Sequence, residues 1–295
     1  LGCPKIFHEV ATHLFIKYNH SALPDIAGSL WKVVPGEGAP LLGLRLRQFV
    51  MANVPHRYFA APGANVETRP IYHVLGMNWQ RMAHYYLLNG ELDTYRLATV
   101  PPGARSGSTP PPSLLPGTRL EPVEDPGQLE TFVFDRPADV APRKDHAYVC
   151  RRFLDHPRYD YQLLLYHTRG EIPALVVCRW VGHQGRRAWR IVDYYGEERH
   201  LEGVVPHLYR RLVEQGGEYL DLVCLGFEAR ALERAGFTAL DLDQQALIIP
   251  NYFEPFEARN APLYAVSDRS ERLRLRLCLG DGDQDRPNQP LPGLR

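Results

Sequence analysis

The chain has 295 residues, 44% hydrophobic and 23% charged, with 34 basic and 34 acidic side chains that leave no net charge. This is the composition of a folded globular protein with room for two ordinary domains, and its balanced charge offers no field to gather a polyanion, so nucleic acid is not an expected partner. Five scattered cysteines without C-x-x-C spacing argue against a disulfide framework and a zinc knuckle, and no run approaches the ~18 apolar residues of a membrane span, so a cytoplasmic protein with no membrane partner is expected.

Leu1 opens the chain in strand-like sequence, as expected of a piece of a longer protein. Residues 29–34 then read as a strand, 41–51 as an amphipathic helix, 57–61 as a strand, 68–75 as a short helix ended by Gly76, and 84–89 as a closing strand. From 99 to 142 the sequence turns proline-rich, with Pro101-Pro102-Gly103 and Pro110-Pro111-Pro112, and loses apolar periodicity in the manner of a linker. Beyond it, 145–154 predicts a helix stopping before Pro157. Residues 161–167, 173–181 and 188–195 predict three strands of a meander with turns at Arg169-Gly170 and Gln184-Gly185. Residues 204–214 predict a helix, 219–225 a strand, 228–235 a helix capped by Gly236, and 246–249 a strand running into Pro250. Both halves share the order strand, helix, strand, helix-Gly, strand. The expected divisions are 1–98, a linker at 99–142, 143–280, and an acidic tail at 281–295.

The tail, D-G-D-Q-D-R-P-N at 281–288, sets Asp281, Asp283 and Asp285 within one loop. It reads either as a solvated end or as an ordered loop packed on the second half, with Arg286 answering some of its carboxylates. The alternating aspartates lack the glycine and distal glutamate of a calcium loop, so no metal site is expected. Ahead of the first helix, Val34, Gly36, Gly38, Ala39, Leu42 and Gly43 frame a turn whose backbone N–H groups could cradle an anion; Pro40 removes one donor, and a plain strand-to-helix turn accounts for the same residues. Tyr72 lies on the short second helix with Glu67 and His73 close by in sequence. Carboxylates and amides chelate vicinal hydroxyls, and aromatic faces stack on sugar rings. On the family resemblance that follows, the candidates of that chemistry are Asp155, His156, Tyr159, Asp193, Asn251, Tyr252, Glu254, Asn260, Asp283 and Asp285, although each alone also suits an ordinary hydrogen bond at a strand end.

The shared order, with Leu75-Gly76-Met77 and Ala235-Gly236-Phe237 closing the second helix of each half, resembles the GNAT acyltransferase superfamily. In that fold a meander leads into a strand, a phosphate-cradling turn, a helix, a splayed strand and a short helix ending in a Gly-aromatic pair. Two such units look like the tandem arrangement of double GNAT proteins and, distantly, of Fem-type peptidoglycan aminoacyl transferases. Leu30-Trp31-Lys32-Val33, Tyr85-Tyr86-Leu87-Leu88-Asn89, His156-Pro157-Arg158-Tyr159-Asp160-Tyr161, Ile191-Val192-Asp193-Tyr194-Tyr195-Gly196, Ile249-Pro250-Asn251-Tyr252-Phe253-Glu254-Pro255-Phe256 and the terminal D-G-D-Q-D-R-P-N are similar to segments of GNAT-like proteins from bacterial surface-polysaccharide and nonulosonic-acid gene clusters.

The resemblance implies an α/β fold of two tandem GNAT-like units, the first N-terminally incomplete, joined by the Pro-rich linker. It implies an acyl-CoA-dependent N-acyltransferase of surface-polysaccharide or lipopolysaccharide biosynthesis, with acetyl-CoA or another acyl-CoA as co-substrate and an amino sugar, sugar nucleotide or nonulosonic-acid precursor as acceptor. The turn at 34–43 would hold the donor, Tyr72 would protonate the departing thiolate, and Glu67 or His73 would serve as base. In the second half Glu197 and Glu198 stand where a cradle would be and would repel a pyrophosphate, which leaves that half for recognition or packing. A non-catalytic carbohydrate- or partner-binding protein is one alternative. A Fem-type aminoacyl transferase is another, which the neutral charge balance disfavours. An oligomer is compatible with either.

Overall fold

The two periodicities, near 3.6 in the helices and 2 in the strands, become two interlocked α/β units in the computed structural model, which describes residues 11–34, 36, 40–103, 113–134, 137–282 and 285. In the first unit β1 (Ala11–Lys17) and β2 (Asp25–Val33) pair antiparallel, α1 (Leu42–Asn53) carries the chain back, and β3 (Tyr58–Pro62) lies parallel to β2. The short α2 (Arg69–Val74) ends at Gly76, whose φ of 71° suits a residue without Cβ, and leads to β4 (Asn78–Arg81). β5 (Ala83–Leu88) follows after one residue.

The second unit begins with β6 (Thr118–Pro122), β7 (Val140–Ala141) and α3 (His146–Val149), which runs on into a wider turn over Cys150–Leu154. The meander follows as β8 (Gln162–Thr168), β9 (Glu171–His183) and β10 (Arg186–Gly196). Next come α4 (Leu201–Glu214), β11 (Tyr219–Leu225) parallel to β10, α5 (Ala229–Arg234) and β12 (Thr238–Ala239). A hairpin of β13 (Tyr252–Phe253) and β14 (Phe256–Glu257), then β15 (Tyr264–Ser267), β16 (Arg274–Leu275) and β17 (Leu277–Cys278), complete the elements, with β16 parallel to β7.

The sheets reveal a reciprocal exchange. The first runs β1-β2-β3-β15-β4 and the second β12-β5-β11-β10-β9-β8-β6. The slot between the strand after the crossover helix and the strand after the short helix is filled from the other half in both cases. β15 enters between β3 and β4, and β5 between β11 and β12. The strand expected at 84–89 is therefore present, but it closes the opposite unit instead of its own.

Buried polar pairs fix these alignments. On β11 the carboxylate of Asp221 receives Arg190 of β10 (Nη2 to Oδ2, 2.7 Å) and His84 of β5 (3.1 Å), all three buried. A one-residue slip of β5 would turn His84 away from Asp221, so the row specifies which strand fits and in which register. In the first sheet Arg57 makes a fork to Asp25 of β2 (2.7 and 2.5 Å) at the same end of the parallel pair. Apolar burial supplies the bulk of the stability: Leu201, Val204, Val205, Leu208 and Leu212 form one stripe of α4 and pack on Trp189, Leu220 and Leu222.

Several elements differ from the sequence pattern. Residues 246–249 form no strand; Ile248 makes a single bridge to Thr99, because Pro250 and the Asn260 side chain take the chain out of any ladder. β1, β4, β6 and β15 were not expected. β6 pairs with β8 from within the proline-rich 99–142 stretch, and no helix among the described residues is long and apolar enough to cross a membrane.

Candidate functional site

Each unit contains a wedge where its two parallel strands part. In the first, β2 and β3 pair only over Asp25–Ala27 and Tyr58–Ala60 and then diverge. The gap holds a cavity of about 200 Å³. Gly28, Ser29, Leu30 and Trp31 of β2 line one side, Ala61 to Asn65 and Thr68 the other, with His13 of β1 and Tyr72 of α2 closing it. Gly28 is required here, since a Cβ would lie 2.7 Å from the Phe59 ring.

Tyr72 is the one expected catalytic residue that reaches this cavity. It is buried and belongs to a continuous row of rings: His13–Trp31 at 6.2 Å, Trp31–Tyr72 at 5.9 Å, Tyr72–Trp79 at 6.3 Å and Trp79–Tyr264 at 5.3 Å between centroids. Tyr264 lies on the exchanged strand β15, so the second half of the chain completes the wall behind the first wedge. Burial raises the Tyr72 phenol, and the nearby Arg47 guanidinium draws it back down. Glu67 and His73 are exposed and do not line the cavity; Glu67 belongs to a turn capped by Asn65, and His73 occupies the opposite face of α2.

Of the residues expected to cradle the donor, Val34 and Gly36 (φ 79°) lie in the turn after β2, and Leu42 and Gly43 open α1. The Trp31 indole N–H donates to the Gly43 carbonyl at 3.0 Å, tying β2 to that helix. Leu41, before the helix, is exposed and holds a left-handed conformation (φ 61°) that glycine adopts at lower cost. Gly38 and Ala39 lie outside the described residues.

The second wedge is closed by the chain itself. β10 and β11 pair over Trp189–Ile191 and Leu220–Leu222 and then part. β17 fills that space by pairing Cys278 with Cys224 and Leu277 with Leu225, and Arg276 donates to the Gly196 carbonyl of β10 at 3.0 Å. Gly226 (φ 78°) permits the approach, because a Cβ there would sit 1.8 Å from the Leu275 oxygen. Deeper in, Lys144 bonds both oxygens of Asp193 at 2.7 Å and pairs with Asp281, while the Tyr195 hydroxyl donates to Asp193 at 2.6 Å. Asp193, Cys278 and Asp281 converge as a metal site would, but the Lys144 ammonium supplies the positive charge. Burial pushes the Asp281 carboxyl up and Lys144 pulls it back.

Outside the plug, at the mouth of α4, lies a cavity of about 650 Å³ whose lining sets Glu197, Glu198 and Glu228 among Arg199, Arg234, Arg274 and Arg276. The carboxylates stand where a helix N-terminus would otherwise favour an anion.

The expected acceptor residues divide. Asp285 is buried, gripped by Arg179 and by the Tyr161 hydroxyl (2.7 Å); against the upward push of burial, Arg179 holds its carboxyl below the usual range. Arg179 lies 3.8 Å over the Tyr159 ring, Tyr159 stacks on His156 at 5.1 Å, and its hydroxyl donates to Glu254 at 2.7 Å. His156, Tyr159, Glu254 and Asp285 are thus brought together, with Asp155 exposed beside them. Asn251 donates to the Ala261 carbonyl and Asn260 accepts from Ile249 and donates to Leu247, so both amides brace the 247–261 segment from within. Tyr252 is half-buried on β13, and Asp283 and Arg286 lie outside the described residues. The sequence reading did not single out His13, Ser29, Ala61, Asn65 or Arg47. Only Arg47 left a signal there, a charge three residues before Val50 on what proves to be the buried face of α1.

The wedge, crossover helix, splayed strand and short helix ending at glycine, present twice, define a tandem α/β architecture of the GNAT type. Among solved structures the chain is similar to a probable N-acyltransferase from Enterococcus faecalis, at 11% identity over 78% of this chain with a TM-score of 0.50. It is also similar to a GCN5-related N-acetyltransferase from Anabaena variabilis, at 8% identity over 87% with a TM-score of 0.48, and to one from Kribbella flavida, at 11% over 89% with a TM-score of 0.43. It spans 55%, 58% and 91% of those chains, respectively. At such identity the likeness shows the fold alone. The sequence matches no family model and no curated protein.

Proposed function

We propose that the chain transfers an acyl group from acyl-CoA to an amine, with the first wedge as donor site. The observation that carries this reading is the open cavity between the parting strands β2 and β3, with Tyr72 in its wall. Past Ala27 the gap-facing backbone of β2 has left its β3 ladder, which suits it to an extended thioester arm. The amine nitrogen attacks the thioester carbonyl carbon, the carbonyl oxygen takes the negative charge, and its return expels the thiolate. The Tyr72 hydroxyl then gives its proton to the sulfur, and the ammonium of the addition product loses its proton to solvent. Arg47 favours the phenolate that this leaves until a proton returns.

The proposed acceptor is an amino sugar or sugar nucleotide of surface-polysaccharide synthesis, taken in the cytoplasm. Its candidate contacts are the His156, Tyr159 and Tyr252 rings and the carboxylates of Glu254 and Asp155, supported by the resemblance of residues 156–161 and 249–256. Asp193, Asn251, Asn260 and Asp285 are left out because they are buried and their polar atoms serve internal bonds. Calorimetric titration with acetyl-CoA tests the donor site: measurable heat is expected, and absence of both heat and thermal shift contradicts it. A non-catalytic binding protein is the second reading, favoured by Pro40 and the left-handed Leu41 in the turn where glycines would expose N–H donors.

A further inference from the structure

Arg47 is 0% exposed, yet among the described residues it forms no ion pair, and Asp268 reaches it only as a charge at a distance. Its Nε and Nη1 atoms have no hydrogen-bond partner among the described residues, and Nη2 reaches only the Met77 sulfur at 3.6 Å. The guanidinium lies 3.6 Å over the Phe59 ring, the ring on which Gly28 of the cavity wall rests. Cation–π and sulfur contacts return less than burial of a guanidinium costs, and truncation to an apolar residue would remove that cost. Asp268, the carboxylate whose charge acts on Arg47, accepts the Phe59 N–H at 2.8 Å instead of bonding the guanidinium. Burial and, next, the charge of Arg47 depress the His13 imidazole to about 4, while the same charge acts on Tyr72. His13 and Tyr72 are both cavity-lining groups, so Arg47 lies just behind that wall. Two more polar atoms around the same row of rings, His13 Nδ1 and Trp79 Nε1, are also buried without partners among the described residues.

We infer that the first wedge selects an acyl group ending in a carboxylate, the thioester of a short dicarboxylic acid, with the charge of Arg47, acting through the wall that His13 and Tyr72 form, favouring the free carboxylate and His13 as the donor in the cavity lining. This rests on the donor reading above. A cavity of about 200 Å³ holds a chain of a few carbons and not a nucleotide, so the charge that Arg47 calls for belongs to the acyl end and not to the phosphates of CoA. Burial in low dielectric makes the pairing selective, because a methyl group in the same place leaves the guanidinium unanswered.

The test compares succinyl-CoA with butanoyl-CoA, equal in chain length and differing in the terminal carboxylate, by calorimetry on the full chain, with acetyl-CoA as reference. The expected result is at least a tenfold tighter Kd for succinyl-CoA in the native protein and loss of that preference in Arg47→Gln and Arg47→Met, with circular dichroism confirming that each variant is folded. Equal or tighter binding of butanoyl-CoA, or a preference that survives Arg47→Gln, overturns the inference and leaves the donor site standing. Failure of all three thioesters to bind overturns both. Should neither variant fold, the comparison in the native protein decides.

Discussion

The two wedges are built from the same elements and have opposite contents. Both begin as a parallel strand pair clamped by an arginine–aspartate bond, Arg57–Asp25 in one and Arg190–Asp221 in the other, and both open beyond the clamp. The first encloses a cavity with a tyrosine in its wall. The second takes in residues 276–281 of its own chain, held by β17, by the Lys144–Asp193–Asp281 cluster and by Arg276 on Gly196. Parting a parallel pair exposes backbone groups that need partners, and the two wedges differ in what fills the gap: one encloses a cavity and the other is occupied by a strand of the same chain. Duplication thus yields one candidate site and one structural anchor, while the exchanged β5 and β15 make each unit depend on the other.

The largest expected effect falls on the closed wedge. Lys144→Met leaves Asp193 and Asp281 buried without a cation, at a cost of about 3–5 kcal/mol and a fall in melting temperature on the order of 10 °C by calorimetry. The variant should gain no acyl-CoA binding, since β17 still pairs with β11 inside the wedge; a new binding event would break the comparison. Asp221→Asn, which weakens the clamp and the hold on His84, should cost roughly 2–3 kcal/mol by denaturant titration. A cost near zero would show that the polar row does not fix the exchanged strand. Tyr72→Phe bears on the open wedge: turnover should fall on the order of a hundredfold while acyl-CoA affinity and melting temperature hold. An unchanged rate removes Tyr72 from the chemistry.

The smallest effect is a pH dependence. His13 is held down to about 4 in the folded state, by burial first and Arg47 second, against about 6.5 in the unfolded chain. The unfolded state therefore binds the proton first as pH falls. Stability contributed by the neutral imidazole is complete above about 6.5 and is lost on the way down to about 4. Asp268, raised by burial, acts with the opposite sign, so the comparison of native protein with His13→Phe isolates the histidine. The melting temperature of the native protein should fall relative to that of His13→Phe as pH drops across that window; parallel curves would contradict the assignment.

Much of this was legible in sequence because it is local. Periodicity and Gly76 and Gly236 gave the strand–helix grammar of both halves, and the short helix expected around Tyr72 is present. The exchange was not legible, since alternation in Ala83–Leu88 specifies a strand and not its neighbour; the choice rests on His84 meeting Asp221, 137 residues away. Residues 78–81 are too short and polar to announce a strand, and 246–249 are apolar enough to imitate one. The acidic tail was expected to order through Arg286, whereas Asp281 and Asp285 are answered by Lys144 and Arg179 from distant elements. Carboxylates read as sugar ligands, Asp193 among them, turned out to face cations that no spacing rule would pair with them.

The central claim, that the open wedge alone receives an acyl donor, is tested most directly by filling it. Ser29, half-buried in the cavity wall, replaced by tryptophan occupies much of the 200 Å³. Calorimetric titration of acetyl-CoA should show a single site in the native protein and none in Ser29→Trp, with the melting temperature little changed. Undiminished binding in Ser29→Trp would contradict the account and move the donor elsewhere on the molecule.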